Sequence, residues 1–283
     1  MKLILRKAVI TFLFFTSSVS LFAQLDSIYE GSNEKASSFF NAFGPHDPVF
    51  FALGYGKNSD FEDKVIYANF QISFRFEIFS IAKKENQSIY DRYRGFNLIY
   101  SQLSFWDLSS KSQPFYDTSY KPGLMFLYQK IDGQNISWIH RIDLEGGFQH
   151  HSNGRETIYS RSTNQFYFKP TLVWKSGGHH FFFAPKVWTY WKTEKRTKDI
   201  QDYWGNADFE LTWRAKWGLQ LESHSIFAKN VNTFHVIATY PVDRFIKRLK
   251  FYIMLDYWNG AGNTILRYNE STQGFIGGIA LTR

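Results

Sequence analysis

The chain has 283 residues, 44% of them hydrophobic and 20% aromatic, with a formal charge of +8 and no cysteine. That length is most simply one large domain, and the missing cysteines exclude disulfides, thiolate metal sites and a cysteine nucleophile. The mild charge does not call for nucleic acid as a partner.

Thirty Phe, 17 Tyr and 9 Trp stand beside a negative mean hydropathy. Apolar and polar residues are therefore interleaved rather than gathered into blocks, which is a β pattern. The opening "MKLILRKAVITFLFFTSSVSLFAQ" places Lys2, Arg6 and Lys7 before an apolar run and small residues up to Ala23. This predicts a secretory signal over 1–23, its apolar run being short of the ~20 residues of a transmembrane helix. Removing those three cations leaves +5 on the mature chain. Residues 24–46 are expected to form a periplasmic N-terminal extension and 47–283 the folded domain. No later run approaches ~18 apolar residues, so the choice lies between a secreted soluble protein and a membrane barrel.

The segment "VIYANFQISFRFEIF" (65–79) sets Phe70, Ile72, Phe74, Phe76 and Ile78 against Gln71, Ser73, Arg75 and Glu77. Its period is two, and about 15 residues exceeds the usual globular strand. A soluble sandwich would expose that apolar row, whereas an outer-membrane barrel turns it to lipid and the polar row to the lumen. Residues 136–150 repeat the pattern, with Trp138, Ile142, Leu144 and Phe148 opposing Arg141, Asp143, Glu145 and Gln149. In 206–217, Phe209, Leu211, Trp213 and Trp217 oppose Asp208, Glu210, Arg214 and Lys216.

Turn signals bound twelve segments, roughly 48–57, 64–79, 94–106, 120–129, 136–149, 162–175, 179–192, 206–217, 218–228, 231–240, 248–258 and 273–282. The expected fold is all-β: a 12-stranded antiparallel transmembrane β-barrel of the outer membrane, an even count being the rule there. The seventh segment alternates poorly. Connections 107–119, 150–161, 193–205 and 259–272 would be extracellular. The turns of the other rim are mostly short, with 80–93 breaking the rule.

Continuing the parity of Phe148 carries His150 and Ser152 to the lipid side, and Asn164 shares the parity of Phe166 and Phe168. Polar groups beside hydrocarbon are costly and point to function. A serine needs a base to become a nucleophile, and that base needs an acceptor to orient it. An Asn amide does so without placing a charge near lipid. The competing reading is an ordinary polar loop, since H-x-S with a distant Asn is a weak motif by itself.

"DLEGGFQHHSNGR" followed by "SRSTN", together with "YSQLSFW" (100–106) and "SQPF", closely resembles the bacterial outer membrane phospholipase A family. The resemblance runs from about residue 45 to the C-terminus. It implies a twelve-stranded barrel that hydrolyses phospholipid acyl esters with calcium and acts as a homodimer. It further implies His150 as general base, Ser152 as nucleophile and Asn164 as orienting residue. Calcium would be held by the Arg155 carbonyl, Ser160 and a loop serine supplied by the second subunit, best matched by Ser112. Gln102 corresponds to an intramembrane interface residue.

Some positions depart from the family pattern. Thr157 replaces an acid, which puts a second calcium site in doubt. Thr163 replaces an aromatic residue, and His151, replacing an acid, should face away from His150. "GGIALTR" lacks a terminal aromatic. "WKTEKRTKD" (191–199) is either a solvated loop or a contact for anionic headgroups. Arg75, Glu77, Arg141, Asp143 and Glu145 are expected to fill the lumen, and His179 and His180 to be turn residues rather than metal ligands. A non-catalytic porin-like barrel and a soluble esterase are the alternatives.

Overall fold

The computed structural model describes residues 42–56, 65–80, 91–131 and 139–283. The signal segment 1–23 and residues 24–41 of the extension lie outside them, as does Trp138. A two-residue strand β1 (Phe43–Gly44) precedes twelve barrel strands. These are β2 (Phe50–Gly56), β3 (Val65–Ser80), β4 (Asp91–Asp107), β5 (Phe115–Ile131), β6 (Ile139–Ser152), β7 (Ser162–Ser176), β8 (His179–Thr193), β9 (Ala207–Arg214), β10 (Gln220–Ile226), β11 (Thr233–Pro241), β12 (Tyr252–Ala261) and β13 (Ser271–Ala280).

Each barrel strand pairs antiparallel with its sequence neighbours, and β13 pairs with β2, so the sheet closes on itself. Closure gives both edges of the sheet a partner strand, as a wall set in hydrocarbon requires. Among the described residues no helix is long and apolar enough to cross a membrane. The seam is fastened beyond the strands: Leu281 N–H donates to the Val49 carbonyl at 2.7 Å, and Val49 N–H donates to Thr282 Oγ1 at 2.9 Å.

The last residues of the expected extension belong to the sheet, because Phe43 and Gly44 pair with Phe76 and Arg75 of β3. Between this patch and β2 the chain dips into the bore. There Ser101 Oγ donates to Asp47 Oδ2 at 2.5 Å, and Gln71 Nε2 donates to the Pro48 carbonyl at 2.8 Å.

Alternation decides what faces where. Phe166, Phe168, Phe209, Leu211, Phe234 and Phe275 are exposed on the outer wall. Glu145, Gln149, Lys169, Glu210, Glu222 and His224 line an internal cavity of about 510 Å³. Several charges in the bore form close ion pairs, which offsets the cost of burying them. Lys169 Nζ lies 2.6 Å from Glu210, and Arg141 lies 3.0 Å from Asp143. His224 lies between Asp208 at 2.7 Å and Glu222 at 3.0 Å.

Several boundaries differ from the sequence expectation by three residues or more, and three of them have a clear physical reason. β5 begins at Phe115, shortening the 107–119 connection to 108–114, because Asp117 and Ser119 are buried inward-facing residues that continue a polar lumen row. The ninth strand ends at Arg214, and Trp217 sits in the turn 215–219 closed by Ala215 N–H donating to the Leu219 carbonyl at 2.7 Å. β12 starts at Tyr252 rather than 248, since local bonds such as Leu249 N–H to the Ile246 carbonyl at 2.9 Å hold the preceding stretch as turns. The expected short turn of that rim is thus a ten-residue connection, 242–251. "SGG" is short as expected, with Gly177 at φ +56° and Gly178 at φ +82°, values a two-residue hairpin turn requires.

The opposite rim is capped by its loops. Ile200 from loop 194–206 packs with Ile265 and Tyr268 from loop 262–270, and Tyr190, Tyr203 and Trp204 lie against them. Trp204 Nε1 donates to the Gly262 carbonyl at 2.9 Å.

Candidate active site

β6 and β7 run in register to their rim end, pairing Phe148 with Phe166, His150 with Asn164 and Ser152 with Ser162. Directly paired residues share a face, so His150 and Asn164 stand side by side on the outer wall, in the row next to Phe148 and Phe166. Their side chains meet, with His150 Nδ1 2.8 Å from Asn164 Oδ1.

The orientation of that amide is fixed from its other end. Asn164 Nδ2 donates to the Lys192 carbonyl at 3.0 Å, so its oxygen must face the imidazole. Nδ1 of His150 is then the nitrogen that donates to this oxygen, so that in the neutral ring Nε2 is the acceptor. Ser152 lies two residues along the same strand, on the same face, roughly 6.5–7 Å further by strand rise. Among the described residues, no hydrogen bond joins the Ser152 hydroxyl to the imidazole.

The carbonyl that holds Asn164 comes from an irregularity in β8. Asn164 pairs with Lys192, but the next residue, Gln165, pairs with Tyr190. Trp191 is therefore the extra residue of a β-bulge, a device that re-aims groups beside sites. The Trp191 ring lies 6.0 Å from Phe148 and 5.5 Å from Phe166. These three rings form an apolar apron beside the polar group.

Behind the wall, His151 is 7% exposed and stacks on Trp204 with ring centroids 5.3 Å apart. It faces the bore, away from His150, as expected. Its cross-strand partner is Thr163, which is also buried. His179 accepts from Trp213 Nε1 at 3.2 Å and so has a structural role.

The loop 153–161 carries Arg155 and Ser160. Asn153, 4% exposed, organises it. Its Nδ2 donates to the Tyr159 carbonyl at 2.9 Å, and its Oδ1 accepts from Arg161 N–H at 3.0 Å and Arg155 N–H at 3.4 Å. Gly154 has φ +64°, and a Cβ there would lie 2.9 Å from the Tyr120 ring, so only glycine fits. Thr157 also has positive φ, +57°, uncommon for a β-branched residue.

The Arg155 guanidinium is anchored to β5. It donates to the Tyr116 carbonyl and lies 3.5 Å from Asp117. Ser160 Oγ donates to Glu194 Oε2 at 3.3 Å. Ser112 is exposed in the 108–114 loop, which Asp107 caps by accepting from Ser109 N–H at 2.8 Å and Ser110 N–H at 3.0 Å. Among the described residues, no hydrogen bond connects Ser112 to Arg155 or Ser160. Sequence reasoning missed Asn153, Glu194 and the Lys192 carbonyl. The "SNGR" spacing hinted at the first, and only the bulge reveals the last.

Gln102 lies on the outer face of β4 in a polar ladder. Tyr100 Oη donates to Gln102 Oε1 at 2.8 Å, Gln102 Nε2 donates to Ser104 Oγ at 3.3 Å, and Thr118 Oγ1 adds a bond to Ser104 at 3.2 Å.

Several known proteins share this arrangement of chain and fold. Phospholipase A1 of Klebsiella pneumoniae is 28% identical over 275 residues, covering 87% of this chain and 88% of its own length. That of Proteus vulgaris is 27% identical, with 87% of each chain covered. The outer membrane phospholipase A of Escherichia coli superposes with a TM-score of 0.72 at 20% identity, over 88% of this chain and 95% of that one. The Salmonella typhi outer membrane phospholipase, solved as a dimer with bound calcium, gives 0.71 at 21% identity over 88% and 94%. The sequence matches the Phospholipase A1 family over residues 52–281, nearly the whole closed barrel, and on that match the chain belongs to this family of outer-membrane β-barrel phospholipases.

Proposed function

We propose that this chain is a calcium-dependent hydrolase of phospholipid acyl esters, with A1, A2 and lysophospholipase activity, working through Ser152, His150 and Asn164 on the barrel exterior. The observation that carries the reading is the 2.8 Å bond between His150 Nδ1 and Asn164 Oδ1 on a face directed at lipid. That bond leaves Nε2 free as a base on the strand face that also carries Ser152. The hydroxyl gives its proton to Nε2 as Oγ attacks the ester carbonyl. The imidazolium, held by the Asn164 amide, then protonates the leaving alcohol. Water repeats the sequence on the acyl-enzyme. The Phe148, Phe166 and Trp191 apron keeps the surroundings apolar, which strengthens each polar contact of the reaction.

Calcium fits the donors available. The Arg155 carbonyl and the Ser160 hydroxyl, with the Glu194 carboxylate beside the latter, are hard oxygen groups of the kind the ion prefers. Ser112 of the partner subunit would complete the set in a homodimer. Bound there, the ion would supply positive charge where the ester oxygen becomes an oxyanion. The ladder Tyr100–Gln102–Ser104 supports the dimer, because polar groups on a lipid-facing wall are natural points of association. Residues 1–23 would serve as the export signal, and the site would face the outer leaflet.

The test is a calcium titration of phospholipid hydrolysis in detergent, with crosslinking in parallel, for the native protein and Ser152→Ala. Loss of hydrolysis in the variant at unchanged dimer content is expected. Persistence at the native level would overturn Ser152 as the nucleophile, and absence of hydrolysis by the native protein would leave a non-catalytic, porin-like barrel as the better account.

A further inference from the structure

The bulge in β8 does more than present a carbonyl to Asn164. It breaks the inward–outward alternation, so that Trp191 and Lys192 are both exposed, following inward-facing Trp188 and Tyr190. The pairings then place His150, Asn164 and Lys192 in one row across β6, β7 and β8.

The neighbouring arginines of this rim are otherwise engaged. Arg155 is bound to Asp117 and the Tyr116 carbonyl. Arg161 is bound to the Ile158 and Ser160 carbonyls, both at 2.9 Å, and Arg196 to Glu194 at 3.1 Å. Among the described residues the Lys192 ammonium takes part in no ion pair. Lys195 and Lys198 are exposed but belong to the loop, outside this row.

We infer that Lys192 is a specificity-determining residue whose ammonium binds the phosphodiester of the lipid being cleaved; the inference rests on the hydrolase reading given above. Two strand spacings across and two residues along put the Lys192 and Ser152 α-carbons about 12 Å apart. An extended lysine spans about half of that distance, and the remainder matches the few bonds between an acyl carbonyl and the phosphorus of a glycerophospholipid. Lysine suits the task as a mobile point charge on a long stem, able to reach from an apolar wall to the headgroup layer. The same bulge therefore orients the base, through the Lys192 carbonyl and Asn164, and recognises the substrate through the Lys192 side chain. Side-chain substitution leaves the first role intact.

The test uses the full-length protein in neutral-detergent micelles with calcium and no lipopolysaccharide, so that the only lipid phosphate present is the substrate's. Hydrolysis of a phosphatidylcholine is compared with that of a diacylglycerol bearing the same chains. Lys192→Met is expected to lower kcat/KM for the phospholipid roughly tenfold, chiefly through KM, as loss of a charge-assisted contact implies. It should leave diacylglycerol within about twofold of native, since that lipid never made the contact. Lys192→Arg should restore most of the difference, and Lys198→Met should change neither rate. Equal losses on both lipids would mean that Lys192 only anchors the barrel in the interface, and equal native rates would mean no role; either overturns the inference. If the native protein shows no Ser152-dependent hydrolysis of either lipid, the hydrolase reading itself fails and takes this inference with it.

Discussion

Asn164 holds His150 by one end of its amide and the backbone of Lys192 by the other, at 2.8 and 3.0 Å. The imidazole thus has one tautomer and one orientation. Asn164→Ala should lower kcat for phospholipid by about one to two orders of magnitude with little change in KM, because it removes orientation rather than the base. His150→Ala should remove activity to the level of Ser152→Ala. Steady-state hydrolysis in mixed micelles checks both.

Asn153 carries three hydrogen bonds of the loop that bears Arg155 and Ser160. Asn153→Ala removes three part-buried hydrogen bonds, a loss of about 0.5–1.5 kcal/mol each. The expected outcome is a rise in the calcium concentration for half-maximal activity, with faster protease nicking inside 153–161. Gly154→Ala should act in the same direction, since the new methyl meets Tyr120 and the left-handed backbone disfavours it by roughly 1–2 kcal/mol.

Tyr268 ties the two capping loops, its hydroxyl donating to Asp199 Oδ1 at 2.5 Å and lying 3.1 Å from the Arg196 carbonyl. Burial, and then the hydrogen bond to Asp199, push its pKa above the ordinary 10.0. The folded loops therefore keep a proton that the opened loops release once pH exceeds 10. The stabilisation is complete below that value and declines as pH rises through the higher folded one. Proteolytic susceptibility of 194–206 should increase above pH 10 in the native protein. Tyr268→Phe should show a higher baseline and no such step.

Gln102 shares its amide with Tyr100 and Ser104 on the lipid-facing wall. If that ladder is a contact between copies, Gln102→Leu should weaken the proposed dimer by about 1 kcal/mol, roughly fivefold in its association constant. Monomer stability should be almost unaffected. Crosslinking yield against protein-to-detergent ratio reads the first, and unfolding temperature the second. Unchanged crosslinking would place the contact surface elsewhere on the wall.

Much of this architecture was legible because a strand crossing lipid has one apolar face and one polar face. The 65–79 row was readable for that reason, until a register shift between Glu77 and Phe79 exposed Ile78 and Phe79 together. β8 was hard to read because its inward residues include Trp188 and Tyr190, so aromatic residues mark both faces. The placement of His150, Ser152 and Asn164 followed from parity because β6 and β7 stay regular as far as Ser152 and Ser162. The Lys192 carbonyl, Glu194 and the bonds of Asn153 depend on a bulge and on loop backbone, which leave no periodic trace.

The seam between the first and last barrel strands has a consequence for biogenesis. Val49 is gripped from both sides by the stretch just past β13, through Leu281 and Thr282. Sealing the cylinder therefore joins segments more than two hundred positions apart in the chain, and it requires every strand between them to be in place. Until then the nascent sheet presents two raw margins that lipid tails cannot satisfy. An open sheet is disfavoured in the bilayer, and pairing of β2 with β13 removes both margins at once.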